Sequence, residues 1–390
     1  MCRLHKRIVI RIALFLHFIA YLFYSYPALS QTNSTLKIFF LGDLYFGESY
    51  QSNPKYNNGV NIIEKYGYDY MFENIKALLS ESDFTIANLE TPLTDSSTPK
   101  ISLRKLYTHW SRPLKTVEYL KKYNINAVSL GNNHAFDCGE EGLNNTISAL
   151  ESGGVEFFGA GVNLKEAEKP LVKQFIYNRD TITIAVLTGF EYRKTYDSLF
   201  RFYAGDSSPG VNQISVEGTS NLIKELKSSY KNPYIIFFPH WGRNYEPKTL
   251  KQTQTAHALI DVGVDLVLGQ GSHMVQEIEK YNGHWIIYSL GNSVFNAPGR
   301  YSYYGVKPYS FIAGLVIRNN PDDKEIHLRL YPIYTDNLKT NYQDRLLTSD
   351  ETEDCYHTLE VKSSNKKIFK DEFRVKKSGN IIFFEIQLNR

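Results

Sequence analysis

Six polar clusters, each closing an apolar run, hold the side chains of this chain best suited to binding a metal or a phosphate. They are Gly42-Asp43, Asn88-Leu89-Glu90, Gly131-Asn132-Asn133-His134, His240-Trp241-Gly242, Gly269-Gln270-Gly271-Ser272-His273 and Tyr288-Ser289-Leu290-Gly291-Asn292. A carboxylate or carboxamide oxygen is a hard ligand for a divalent cation, and an imidazole either binds metal or moves a proton. Singly, most of these clusters are ordinary. Gly-Asp and Gly-Asn make turns, and Asn-Leu-Glu before Pro92 reads as a strand end leaving into solvent. A His after an apolar run more often belongs to the core. The third cluster differs, because Asp137 and Gly139 follow it and few plain loops need two Asn, a His and an Asp after a buried strand. Behind His240, Arg243 suits an anionic group, and Tyr245 lies close by.

The runs that must carry these groups are Ile38–Leu41, Thr85–Ala87, Ala127–Leu130, Ile235–Phe238, Asp265–Leu268 and Ile286–Leu290. Continuous apolar runs of this length read as strands buried on both faces, and in such sheets ligands bind beyond the carboxyl ends. Asn88 and Glu90, two apart on an extended strand, share a face. Helical spacing recurs between the strands at Tyr70–Leu79, Val117–Tyr123, Leu143–Leu150, Leu222–Leu226 and Leu250–Val262. Strand alternating with helix predicts an α/β fold. A hairpin is expected at Ile312–Ile317 and Ile326–Tyr334, and a polar tail from Leu338 ends in a strand-like Ile381–Ile386.

The chain has 390 residues, 42% hydrophobic and 22% charged, which excludes a disordered or low-complexity protein. Its net charge of +3 comes from the N-terminal leader: Arg3, Lys6, Arg7 and Arg11 lie there with no acid, leaving −1 for the remainder. That near-neutral body gives no footprint for nucleic acid. The basic start, the apolar Ile8–Phe23 and the small residues Ala28-Leu29-Ser30 predict export, with residues 1–31 a cleaved signal peptide or a retained membrane anchor. The protein is then expected in the cell envelope, periplasmic or tethered. Beyond the leader the cysteines are Cys138 and Cys355, which spacing alone does not join.

In their order, the six clusters resemble those of the bacterial capsule-synthesis CapA proteins, the poly-γ-glutamate capsule biosynthesis family, itself similar to the calcineurin-like metallophosphoesterases. The likeness runs from about Leu36 to Ile333. It implies a four-layer α/β/β/α sandwich over residues 36–338, with residues 339–390 a C-terminal extension packed on it. It further implies a divalent metal (Mn, Fe, Zn or Mg) held by Asp43, Glu90, Asn133, His240 and His273. His134, oriented by Asp137, would act as acid or oxyanion partner, and Arg243 would clamp an anion. Asn88, Trp241, Tyr245 and Asn292 would contact substrate. The resemblance departs in two places: Leu44-Tyr45 follows Asp43 where those phosphoesterases have Asp-x-His, and no second His precedes His273. Those departures point to a reduced metal site. The implied function is metal-assisted hydrolysis of an anionic envelope polymer or its precursor. The alternative is a non-catalytic, polymer-binding component of a membrane synthesis complex.

Overall fold

A computed structural model describes residues 35–388, apart from 58, 96–99, 102–103, 178–179 and 321–322. The expected leader lies outside these residues. Among the described residues, no helix is long and apolar enough to cross a membrane.

The architecture is mixed α/β, built on two large sheets. In the ten-stranded sheet the order is Arg374–Ser378, Ile381–Leu388, Asp323–Tyr334, Tyr309–Asn320, Thr35–Tyr45, Phe84–Leu89, Ile125–Ser129 and Glu156–Phe158. Asn292–Phe295 also pairs with the Thr35 strand, and Arg345–Leu346 with the Asp323 strand. The six-stranded sheet runs Ile278–Tyr281, His284–Ile287, Leu266–Leu268, Tyr234–His240, Asp180–Phe190, Leu171–Tyr177.

Side-chain alternation explains how both faces of each sheet are buried. On the first strand, Leu36, Ile38 and Phe40 pack in one cluster with Ile236 and Phe238 of the other sheet. Their neighbours Phe39 and Leu41 pack instead with Leu120, Leu143 and Leu150, from the helices Pro113–Lys122 and Gly139–Gly153. Ile235 and Phe237 likewise turn away from Ile236, onto Ile223, Leu226 and Leu259 of the helices Val216–Ser229 and Leu250–Asp261. Each such fully buried Phe, Leu or Ile contributes about 1.5–3 kcal/mol.

Two expected elements differ from the periodicity. Tyr70–Leu79 is not one helix but a 3-10 turn, Tyr68–Phe72, followed by a short helix, Lys76–Leu79. The apolar run Ile286–Leu290 is not one strand either. The chain leaves the six-stranded sheet at Ile287, crosses over, and enters the ten-stranded sheet as Asn292–Phe295, parallel to the first strand with Asn292 opposite Asp43. The crossing is tight. The Asp43 N–H donates to the Gly291 carbonyl at 2.9 Å, and a Cβ on Gly42 would lie 1.8 Å from that oxygen. Only glycine fits at position 42.

The hairpin strands reach Tyr309–Asn320 and Asp323–Tyr334, longer than the apolar runs alone indicate. The tail is also more structured than its polarity suggests. Ile381–Leu388 pairs with Asp323–Tyr334, and Cys355 and Leu359 of the helix Ser349–Lys362 join the core between the sheets. Cys138 and Cys355 are both free and buried.

Candidate metal centre

The strand ends bring three ligand groups to one point. Asp43, Glu90 and His273 each offer an atom within 4.8 Å of the other two, and all three are buried. His273 Nδ1 lies 3.2 Å from Asp43 Oδ2 and 4.0 Å from Glu90 Oε2. His240 spans the pair, with Nδ1 3.6 Å from Asp43 Oδ1 and Nε2 3.8 Å from Glu90 Oε1. His134 Nε2 also lies 3.8 Å from Glu90 Oε1. Three strand ends and two loops from two sheets thus converge, as the sequence led us to expect of the carboxyl rim.

Among the described residues, neither carboxylate oxygen of Glu90 has a hydrogen-bond partner, although both are fully buried. A buried carboxylate left this way is costly unless something else satisfies it. Asn133 Oδ1 is likewise buried and unpartnered, and Asn133 lines the adjoining cavity. Unpaired hard oxygens beside three imidazoles are a donor set that fits a divalent cation.

Asp43 is held more firmly. Its Oδ1 accepts from Asn88 Nδ2 at 2.9 Å and its Oδ2 from the Gly271 N–H at 3.1 Å. Gly271 sits at φ +101, and a Cβ there would meet the His240 ring at 2.9 Å. Asn88 is itself fixed by Asn132, whose Nδ2 donates to Asn88 Oδ1 at 3.0 Å and to the Leu89 carbonyl at 2.8 Å. Asn292 accepts from His273 Nδ1 at 2.9 Å and donates to the Tyr301 hydroxyl at 3.0 Å. Asn88 and Asn292 therefore orient the ligating side chains, and neither lines the cavity.

The electrostatics follow from this crowding. Burial works against the Asp43 carboxylate, but His273, His240 and Asn88 hold it below the usual range. Burial, reinforced by the Asp43 charge, pushes the Glu90 carboxyl well up. Burial also opposes the His273 cation, yet Glu90 and Asp43 raise it to about 9. His240 is pushed down to about 3, chiefly by burial.

Beside the ligands lies a second cluster. Asp137 Oδ2 accepts from His134 Nδ1 at 2.7 Å and from the His109 backbone N–H at 2.7 Å, while Lys105 Nζ lies 2.5 Å from Oδ1. A carboxylate only accepts, so the His134 proton sits on Nδ1 and Nε2 turns its lone pair outward. His109 stacks on His134 with centroids 3.6 Å apart, and Tyr45 stacks on the far face of His109 at 4.2 Å. Its Nδ1 meets the Glu90 carbonyl at 2.8 Å. Lys105 and His109 belong to the segment before the helix Pro113–Lys122.

His134, His273 and Asn133 open onto a cavity of ≈ 490 Å³. Its wall is basic and aromatic, with Arg104, Lys105, Arg193 and Arg300 among residues such as Tyr50, Tyr107, Tyr196 and Tyr245. Among the described residues, no acidic side chain lines it. Tyr245 is where the sequence pointed. Two other expected residues are elsewhere. Trp241 is fully buried in the core of the six-stranded sheet's outer face, its Nε1–H donating to the Tyr288 carbonyl at 2.8 Å. Arg243 is 73% exposed, pairs with Glu246 at 3.5 Å, and does not line the cavity. Extended backbone explains Trp241: next to His240, which faces the metal ligands, it must point to the opposite side. The turn at Gly242, φ +83, then carries Arg243 into solvent.

A family profile described as bacterial capsule synthesis protein PGA_cap matches residues 37–297. The chain is 29% identical over 266 residues to the "PGA biosynthesis protein CapA" of Bacillus subtilis, covering 68% of this chain and 64% of that one. It is 27% identical over 274 residues to the "Capsule biosynthesis protein CapA" of Bacillus anthracis, covering 69% and 62%. It is 26% identical over 264 residues to a "Probable polyglutamine synthesis accessory protein" of Mycobacterium tuberculosis, covering 66% and 67%. The match thus spans less than two thirds of the length of either Bacillus relative.

Proposed function

Because the chain belongs to the bacterial capsule synthesis (PGA_cap) family, we propose that it is a metal-dependent hydrolase acting on an anionic envelope polymer or its precursor. The observation that carries this reading is Glu90: two buried, unpartnered carboxylate oxygens facing His134, His240 and His273 beside a basic cavity. Three packed clusters support a four-layer α/β/β/α order for residues 36–338. We assign residues 339–390 as an extension of that body. The basic, apolar leader supports export to the envelope, cleaved or anchored, and a place within a membrane synthesis complex. No nucleic acid enters the reading.

Asp43, Glu90 and His273 would hold the cation, with His240 and Asn133 completing its surroundings. The bound ion supplies Lewis-acid polarisation of a reacting oxygen and neutralises developing charge. Asn88 and the Gly271 N–H keep the Asp43 oxygens aimed inward. Asp137 fixes the proton of His134 on Nδ1, so His134 takes a proton at Nε2 and returns it to a leaving group. Burial raises the Asp137 carboxyl, and the Lys105 ammonium beside it acts against that rise. The Arg193 guanidinium, anchored by Glu191 at 2.7 Å, presents positive charge to the bound anion.

A second reading, polymer binding without turnover, is favoured by Tyr45 and by Gln270–Ser272. These residues place no imidazole where the two-metal phosphoesterases have theirs. One experiment separates the two. The full-length chain is purified, its metal content measured, and hydrolysis of phosphodiester and γ-glutamyl substrates followed with added Mn²⁺. The hydrolase reading expects retained metal and turnover lost in Asp43→Ala and His134→Ala. A metal-free protein, inactive with every cation, supports the binder.

A further inference from the structure

We infer that Arg300 is the residue that recognises the anionic group of the substrate, and that Tyr107 occupies its place until substrate arrives. The inference rests on reading the cavity as a substrate site and adds which side chain confers charge selectivity. Of the cavity's cations, Lys105 is paired with Asp137, Arg193 with Glu191, and Arg104 is engaged as well. Arg300 differs. Its guanidinium hydrogen-bonds to the Tyr107 phenol and interacts with that of Tyr304, and no carboxylate pairs with it among the described residues. A phenol is neutral at physiological pH, so this charge is held in place but not neutralised.

The geometry suits exchange. The Arg300 guanidinium carbon sits 4.9 Å from the centre of the Tyr107 ring, and the two residues come from segments 193 positions apart that meet at the cavity. Tyr107 is 41% exposed and Leu106 beside it 87%, so this wall faces water rather than core. Tyr304 stacks on Tyr245 with centroids 5.2 Å apart, and Tyr245 packs on Tyr301, giving Arg300 a firm base. A planar fork already aligned by phenols can pass to a carboxylate or phosphate oxygen pair with little further loss of side-chain freedom. Tyr107 then returns to solvent or lies over the bound chain.

The test is binding to the full-length chain under chelator, where no turnover can occur. The probes are a γ-linked glutamate hexamer, the same hexamer with its side carboxyls amidated, and inorganic tripolyphosphate. Arg300→Gln is expected to weaken the anionic probe that binds by about tenfold or more. It should leave the thermal midpoint and the weak binding of the amidated hexamer unchanged. Arg243→Gln should bind as the parent does. Preference for the glutamate hexamer over tripolyphosphate assigns a carboxylate to Arg300, and the reverse assigns a phosphate. Tyr107→Phe keeps the ring and frees the guanidinium, so binding should hold or tighten. Equal losses in Arg300→Gln and Arg243→Gln, or no anionic probe bound by the parent, would overturn the inference. So would lowered midpoints with intact binding in Arg300→Gln and Tyr107→Phe, which would mark a structural brace. Arg300-dependent binding by a parent chain that hydrolyses neither anionic probe once the chelator is removed and Mn²⁺ is added would leave the inference standing and sink the hydrolase reading alone.

Discussion

The backbone N–H of Asp43 donates to the carbonyl of Gly291 at 2.9 Å, so the first metal-site carboxylate is hung from the segment that links the two sheets. The consequence is that Gly42 cannot change. In Gly42→Ala the new methyl would sit 1.8 Å from the Gly291 oxygen, and neither backbone can retreat without breaking that bond. We expect a loss of roughly 1–3 kcal/mol in stability, read from thermal melting, together with lost metal uptake. A variant that melts like the parent and loads metal normally would show the crossing to be slack.

Glu90 sets stability against function. Its carboxyl is buried, without hydrogen bonds, and driven towards the neutral form by burial and by Asp43. Glu90→Gln replaces it with a neutral group of the same size, so the metal-free protein should be as stable as the parent or more so. The same change removes a ligand. Added Mn²⁺ or Zn²⁺ should raise the parent's melting temperature and leave that of Glu90→Gln unmoved. Equal stabilisation of both would place the cation elsewhere.

Asp137 and Lys105 divide differently. Asp137→Asn keeps the shape of the cluster but no longer commands the His134 proton to Nδ1. We expect kcat to fall roughly 10²–10⁴-fold with KM and metal content little changed. Lys105→Met instead leaves Asp137 buried without its counter-ion, and should cost about 3–5 kcal/mol of stability. If Asp137→Asn lowers metal content in step with rate, its role is structural support of the ligands.

Much of this site was open to a reader of the sequence because three of its residues end a buried strand, where local pattern and position coincide. Asp43, Glu90 and His240 fall there. The alternation of extended backbone could also have ruled out Trp241, which cannot share a face with His240. The α/β class followed from strand–helix order. The crossover at Tyr288–Gly291 did not, since an apolar run is silent about which sheet its end will join. Arg193, Arg300 and Lys105 were equally hidden. They reach the cavity from loops, whose course depends on contacts far along the chain: Tyr107 and Arg300 meet across 193 residues.

His273 makes the site a proton-coupled one. Burial alone would depress its cation, yet Glu90 and Asp43 raise it to about 9, above the ~6.5 of an unfolded histidine. A folded-state value above the unfolded one means that protonation favours the fold. That contribution is complete below about pH 6.5 and is lost as pH climbs to about 9. Glu90, also raised, chiefly by burial, pulls the same way. Metal-free protein should therefore melt at progressively lower temperature from pH 6.5 to 9, and His273→Asn should flatten that slope. Metal binding has the opposite sign, because the cation must displace the His273 proton. Affinity should rise through the same window, with protons released on titration in weakly buffered solution. Constant affinity between pH 6.5 and 9 would mean that His273 is not a ligand.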